Sequence, residues 1–579
     1  MARSEATRGE GEHRESLRQD MATRHLCAGV YLDPAFRRIV LRQVHNDTKR
    51  MVAPSYGFDL VPVVRHAWKA WALETGQHVC VLAVFVTGFW VNPPAALTVV
   101  SGIGLWCLSR LVIRSARVVL PLRAKKVVDR WLWRTRWRSE VDKLREQERL
   151  LRLSGMGCGV LIVAPPLLAE ISRVPLGEMA ATAMLLASLV VLAVAGRGAV
   201  HQLCLNRMYR ADSLSPSKLT RREQAINDQQ FHPYVVYRRP SPRETEEKPG
   251  ELDFDLLDSE TSPFIGSGKL VHRWQPPLTI QLLSTERADG SMEERERLAS
   301  PFRACELVAH LKKAMEPMGD VNDPTRLRGF ERNDRLYIAE TDVRPGPDWL
   351  RERPGRYGID EVIDDPHGIV HHFLEIRASV TGEVVTTVFL RVSVKGRALS
   401  LDFAACALTR TPVEYHLLDA FGEDGAGAVL RSALRGLVNL PAELAGVRCM
   451  AEAPVLLAGA VKARKNRLLV RRRGAVIGAQ LSVREEKSTP WNQAQLDRTT
   501  IYDYMKLIEQ RLLKATEEFL NSKKIDVSAF NKKATSIVNM GVLNMGGKID
   551  MNQTAVGAKA HVRVDVREPD GNHGDSPAE

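Results

Sequence analysis

Apolar and polar positions alternate along this chain in three registers, and each register predicts a different kind of element. The longest is unbroken: residues 79 to 109 contain no Asp, Glu, Lys or Arg, a stretch interrupted only at Asn92-Pro93-Pro94. Such a run is too long for one ordinary soluble helix and suits a bilayer, and the Asn-Pro-Pro step predicts that the chain turns there. The plan repeats. Residues 153–169 and 179–196 are uncharged and are separated by the polar segment 170–178. The expectation is four membrane helices in two hairpins, over 73–91, 94–113, 153–168 and 179–196. At about 1.5 Å per residue, 16 to 20 residues reach about 24 to 30 Å, close to the thickness of the hydrocarbon core. Re-entrant hairpins that never fully cross remain the alternative.

The second register has period 2. Leu374, Ile376 and Ala378 alternate with Glu375, Arg377 and Ser379. Leu390, Val392 and Val394 alternate with Arg391, Ser393 and Lys395, and Leu399, Leu401 and Phe403 follow the turn at Gly396-Arg397. This predicts an antiparallel meander with one buried face, covered by helices such as 305–315. The third register is helical. Ile501, Tyr504, Met505, Ile508, Leu512, Ala515 and Phe519 share one stripe of a helix over 496–522. Tyr504, Met505, Ile508, Leu512 and Phe519 are candidates for a partner or self-association interface. Beyond them, the repeated Asn-Met-Gly steps of 536–547 and the alternation of 548–557 predict narrow strands. Val538, Val542, Ile549 and Val556 would then add to a sheet edge or self-assemble, with a local hairpin packed on its own domain, or disorder, as the competing readings.

Charge supplies the sidedness. Twelve Lys and Arg precede residue 70 and thirteen lie in 114–152, whereas the two internal turns carry only Arg173. Basic loops stay cytoplasmic, so the expected topology is a multi-pass plasma-membrane protein with both termini inside. Trp68, Trp71, Trp106 and Trp131 fall near the inner interface, and Arg110 can snorkel to it. An amphipathic segment over 442–461 runs into Lys462, Arg464, Lys465, Arg467, Arg471, Arg472 and Arg473. That combination suits an anionic inner leaflet, with a core helix pair and a solvated basic loop as the competing reading. The net charge of +13 sits mainly beside the membrane segments, which argues for lipid and against nucleic acid as the acidic partner. Eight scattered cysteines without zinc spacing speak for a reducing compartment.

The fold class expected is therefore mixed: an α-helical membrane unit plus a cytoplasmic α+β domain, with a C-terminal helix and Asn/Gly strands. Its parts are a disordered N-terminus over 1–27 and a juxtamembrane segment over 28–72. The hairpins fall within 73–113 and 153–196, around a basic connector over 114–152. A linker over 197–260, the α+β domain over 261–427, amphipathic and polybasic segments over 428–488, a C-terminal unit over 489–564 and a polar tail over 565–579 complete it. Met21 is a second candidate initiator.

Catalytic signatures are absent. Pro263 to Lys269 has the look of a phosphate loop, but Pro263 stands where the first glycine belongs and Leu270 where Ser or Thr belongs. Asp364, Asp365, His367, His371 and His372 form a dense group of metal-type ligands, yet Pro366 and Gly368 break the helix that would align them. No cofactor, metal or catalytic residue is expected.

Four stretches together carry a resemblance: 53–60 (Ala-Pro-Ser-Tyr-Gly-Phe-Asp-Leu), 263–268 with Trp274, 334–338 (Asp-Arg-Leu-Tyr-Ile) and 389–394 (Phe-Leu-Arg-Val-Ser-Val). In this order the chain resembles a group of uncharacterised actinobacterial multi-pass membrane proteins over residues 28 to 475. The resemblance implies a layout and no catalytic residues. Actinobacteria also carry cytoplasmic contractile, phage-tail-like particles that would need a membrane adaptor, a use this layout would serve. The expected function is a non-enzymatic membrane scaffold or adaptor for a cytoplasmic partner or a homo-oligomer. The alternative is a pore-forming or membrane-remodelling effector.

Overall fold

The structure, a computed structural model, describes residues 21–131, 138–211, 213–238, 263–285, 300–320, 322–343, 356–380, 382–417, 425–465, 478–479 and 481–543. It opens with helix α1 (Met21–Leu32) and α2 (Pro34–Ile39), which continues as a π-helical turn over Val40–His45. Helix α1 is buried on nearly every side. The expected disorder of 1–27 is thus corrected for residues 21–27: Leu26, Cys27 and Val30 have a core to enter that the local sequence does not reveal.

Four long helices follow: α3 (Leu60–Val91), α4 (Pro93–Trp131), α5 (Arg138–Ser172) and α6 (Leu176–Arg210). Each holds a stretch long and apolar enough to cross a membrane. The side chains they expose are mainly apolar, including Val86, Trp90, Val160, Leu167 and Leu192. Asn92 makes the first turn. Its Oδ1 accepts from the Ala95 N–H at 3.1 Å, and α4 starts at Pro93, where a missing N–H costs nothing. Its Nδ2 donates to Thr182 Oγ1 of α6 at 3.1 Å, tying the two hairpins together at their tips. The second turn lies at Arg173–Pro175, as the polar break predicts, while Pro165 and Pro166 are inside α5. All four helices overrun the apolar windows. Trp68 and Trp71 meet edge to face at 5.4 Å and pack beside the α1 core rather than at a lipid-facing belt. Trp106 stays exposed under Arg110, 5.6 Å from its ring centre.

The expected linker over 197–260 is largely structured where it is described. Helix α6 runs on to Arg210. Helix α7 (Arg221–Gln230) begins with a capping box of Thr220 and Glu223, and strand β1 spans Tyr234–Tyr237. A sheet of seven strands then forms from β1, β2 (Lys269–Arg273), β3 (Leu278–Gln281), β4 (Glu331–Ala339), β5 (Val370–Val380), β6 (Val384–Lys395) and β7 (Ala398–Leu408). The order is β1-β4-β5-β6-β7-β2, with β3 also paired to β7. The meander β5 to β7 is antiparallel as expected; β4 adds to it antiparallel to β5, and β1 joins β4 in parallel, so the sheet is mixed.

Register aligns the apolar rows. Leu374 faces Leu390, which faces Phe403, and Ile376 faces Val388, which faces Ala405. That face is covered by helices α8 (Ala304–Met315), α14 (Gln495–Ser522) and α15 (Ser528–Leu543). The opposite face, expected to be solvated, is also covered. Tyr56 and Phe264 lie over it among Tyr337, Phe373 and Phe389, and the Phe264 and Phe389 rings stack at 4.3 Å. Around these units run α9 (Arg356–Asp364), α10 (Gly425–Val438), α11 (Leu440–Ala445), α12 (Ala453–Lys465) and the short α13 (Val483–Glu486).

Candidate functional site

Helix α1 sits where the apolar helices meet the sheet, and both of its sides carry polar clusters. Small residues make the close approach possible. A Cβ on Gly29 would lie 2.5 Å from the ring of Tyr415, in the 3-10 turn Val413–His416. The Tyr415 hydroxyl donates to Asp33 at 3.2 Å. Asp33 caps α2 by accepting from the Ala35 and Phe36 N–H groups and pairs with Lys487 at 3.1 Å.

On the sheet side, His25 of α1 meets Glu383 at the β5–β6 turn, with 2.5 Å between Nδ1 and Oε1. Thr411 Oγ1 donates to the same oxygen at 2.7 Å. His416 Nε2 lies 3.4 Å from Glu383 Oε2 and 3.0 Å from Thr411 Oγ1, and the His25 and His416 rings stack at 4.0 Å. Arg484 of α13, itself buried, donates through Nη2 to the Glu383 carbonyl oxygen. Burial works to raise the Glu383 carboxyl. The hydrogen bond and charge of His25, the charge of His416 and the Thr411 hydroxyl outweigh it and hold the group at about 2.

On the side of the apolar helices a cavity of about 520 Å³ opens between α1, α3, α6 and α10. Its lining includes Tyr31, Glu74, Arg197, His201, Arg435 and Glu443. Arg37 pairs with Glu74, and Arg197 pairs with Glu443. Helix α10 lies against α6 here, with the Ser432 hydroxyl donating to the Gly198 carbonyl at 3.0 Å. Its outer stripe of Leu430, Leu434 and Val438 is exposed.

Tyr56, Phe264, Tyr337 and Phe389, one from each stretch that carries the resemblance, converge on one sheet face, while Trp274 packs on the other. Tyr56 and Arg335 both donate to Glu375 Oε2, at 2.9 and 2.7 Å, and Glu375 is fully buried. The loop that looks like a phosphate cradle holds an internal carboxyl group instead. The N–H groups of Gly266 and Gly268 donate to Glu485 Oε1 at 2.8 and 2.7 Å. Burial nevertheless pushes the Glu485 carboxyl up to about 7, because two amide bonds do not replace full hydration.

The residues singled out from sequence fall in several places. Met505, Ile508, Leu512 and Phe519 are buried in the sheet's own core, and Tyr504 is packed against it. The stripe is therefore occupied within the chain, because the sheet needs a helical cover for its apolar face. Val538 is half-buried against the same core within α15, and Val542 is also helical, which corrects the strand expected from residue 536 onward. Phe530, Ala534 and Ile537 recur at helical spacing, and that register takes precedence over the Asn-Met-Gly alternation. Ile549 and Val556 lie outside the described residues. Lys462 and Arg464 are exposed on α12 and Lys465 ends it, while Arg467, Arg471, Arg472 and Arg473 lie outside the described residues. The expected amphipathic helix over 442–461 is broken into α11, a 3-10 segment over Gly446–Glu452 and α12.

The 364–372 group is divided between α9, which ends at Asp364, and β5, which carries His371 and His372. Asp364 accepts from the Cys305 N–H at 2.9 Å, whereas His372 binds Asp334 at 2.7 Å together with Lys312. The only described residues that bring three metal-type ligand atoms within reach of one another are His25, Glu383 and His416. Sequence reasoning missed them, since 358 positions separate His25 from Glu383 and no local pattern marks either.

Residues 273–552 match a family model described as an AbeC-like domain, slightly under half of the chain. The match contains Glu383, His416, Glu485 and most of the sheet, and it excludes α1 and the four apolar helices. No curated protein and no solved structure matches the chain.

Proposed function

We propose that the chain is a non-enzymatic plasma-membrane scaffold that holds its sheet domain at the cytoplasmic face and presents it to a protein partner or to further copies of itself. The observation that carries this reading is the junction around α1. Four helices with mainly apolar exposed surfaces are joined to the sheet through buried polar pairs, not through a loose tether. A rigid mount transmits position and load, which a scaffold requires and a flexible anchor does not supply. A contractile, phage-tail-like particle is one assembly such a mount would serve. In this reading both termini are cytoplasmic and the Asn92 and Arg173–Pro175 turns face outward, as the charge of the flanks favours.

Affinity recovery from gently solubilised membranes tests the scaffold. Helices α14 and α15 belong to the sheet core, so the informative truncation comes after Leu543. A defined cytoplasmic assembly recovered with the full chain supports the reading. Recovery of the chain alone from both forms, without self-association on sizing, counts against it.

A second reading has an observation of its own. The exposed Leu430, Leu434 and Val438 stripe of α10 sits beside a membrane-type helix, as an interfacial helix of a membrane-remodelling effector would. Dye release from vesicles carrying the purified chain favours this reading, and an intact barrier favours the scaffold.

A further inference from the structure

We propose that His25, Glu383 and His416 form a binding site for one divalent transition-metal ion of the zinc class, which fastens α1 to the β5–β6 turn. Two imidazoles and one carboxylate are a recurrent protein ligand set for zinc, with a fourth position left for water or another oxygen. The three ligand atoms already lie within 4.8 Å of one another. Zinc–nitrogen and zinc–oxygen bonds of about 2.0 to 2.2 Å would bring them to about 3.3 Å apart, and because a bound ion lies in the plane of each imidazole, the stacked His25 and His416 rings, now 21° from parallel, would have to turn apart to share it.

Four features argue for a built site over a chance encounter. The ligands come from three separate parts of the fold: α1, the β5–β6 turn and the 3-10 turn after β7. His25 and Glu383 are buried and His416 is half-buried, so an ion there would be shielded yet reachable. Thr411 Oγ1, at 2.7 Å from the carboxylate and 3.0 Å from His416, stands where a fourth oxygen or its hydrogen-bond partner is needed. The backbone of Glu383 is fixed by Arg484, which donates to its carbonyl oxygen. The binding balance is simple: the ion enters and any proton on either imidazole leaves to solvent. The proposal is independent of any partner and of the scaffold reading.

The test uses the untagged full chain in detergent, stripped with a chelator and then dialysed against limiting zinc or cobalt(II). The expected result is one ion per chain by elemental analysis, with cobalt(II) visible bands of four-coordinate nitrogen and oxygen ligation. His416→Ala, at the least buried ligand, is expected to lower affinity at least tenfold. His367→Ala, on an exposed loop, is expected to leave it unchanged. Zinc should raise the thermal midpoint of the wild type and not of His416→Ala. The wild-type stoichiometry and spectrum need no variant, so a folding defect cannot mask the answer. Absence of ion uptake by the wild type overturns the proposal, as does equal uptake by His416→Ala and the wild type, which would mean an adventitious ion only.

Discussion

At the residue scale, the buried carboxylates are the most informative groups around the sheet. Glu485 holds its proton more tightly in the folded chain than its ordinary value of 4.5, with a folded value of about 7. The sign follows. Its contribution to stability is complete below about pH 4.5 and is lost as pH rises through about 7. Both amide bonds reach the same oxygen, Oε1, so the neutral amide of Glu485→Gln can accept both. That variant is expected to flatten the pH dependence of the thermal midpoint between pH 5 and 8, and to recover on the order of 3 kcal/mol at pH 8. A steeper dependence than the wild type would refute the assignment. Gly268 on the same loop admits no side chain. Its φ is +90°, and a Cβ would lie 2.1 Å from the Ala407 carbonyl oxygen. Gly268→Ala should therefore lower the folded yield sharply, by detergent sizing, while Gly396→Ala, with nothing near its Cβ, should cost only its turn strain.

At the element scale, helix α14 is pinned by a single acid. Glu509 Oε1 accepts from Trp274 Nε1 at 2.7 Å and Oε2 accepts from Lys506 at 2.5 Å, both under the sheet. Removing the carboxylate leaves a buried indole N–H without its partner, at a cost of about 1 to 3 kcal/mol. Glu509→Ala is expected to lower the unfolding free energy by that amount, measured by denaturant titration. Glu509→Gln keeps an acceptor for the indole and should fall between the two. Helix α1 is pinned by shape instead. Phe36 and the Asp33 bond hold the Tyr415 ring against Gly29, so Gly29→Val should overpack the contact by about 1 to 3 kcal/mol. Its readout is faster protease cutting near residue 21, with the sheet domain's own cutting pattern unchanged.

At the scale of the whole molecule, the two hairpin turns lie at the same end of the apolar helices, because Asn92 binds Thr182 near the start of α6. Single cysteines placed at Arg173 and Glu178, in a chain cleared of its own cysteines, should react with a membrane-impermeant thiol reagent from outside the cell. One at Lys218 should react only after the membrane is opened. Labelling of all three from one side would contradict two full hairpins and favour re-entrant loops.

The sequence by itself determined the periodic features: two apolar blocks with their turns, the meander over 370–408, and the helices over 304–315 and 495–522. These follow from side-chain spacing, which is local, and from the cost of leaving apolar surface or backbone polar groups in the wrong solvent. Tertiary structure decided everything that depends on who covers whom. The stripe of Met505, Ile508, Leu512 and Phe519 carries the same spacing whether it faces a partner or its own sheet, and only the sheet's uncovered apolar face assigns it inward. Residues 21–32 become a buried helix because α3 and the turn at Tyr415 provide a core far away in sequence. Glu375, Glu485 and Glu383 read as ordinary surface acids until distant donors surround them. The convergence of His25, Glu383 and His416 is of that kind: three unremarkable residues acquire a chemistry only when folding makes them neighbours.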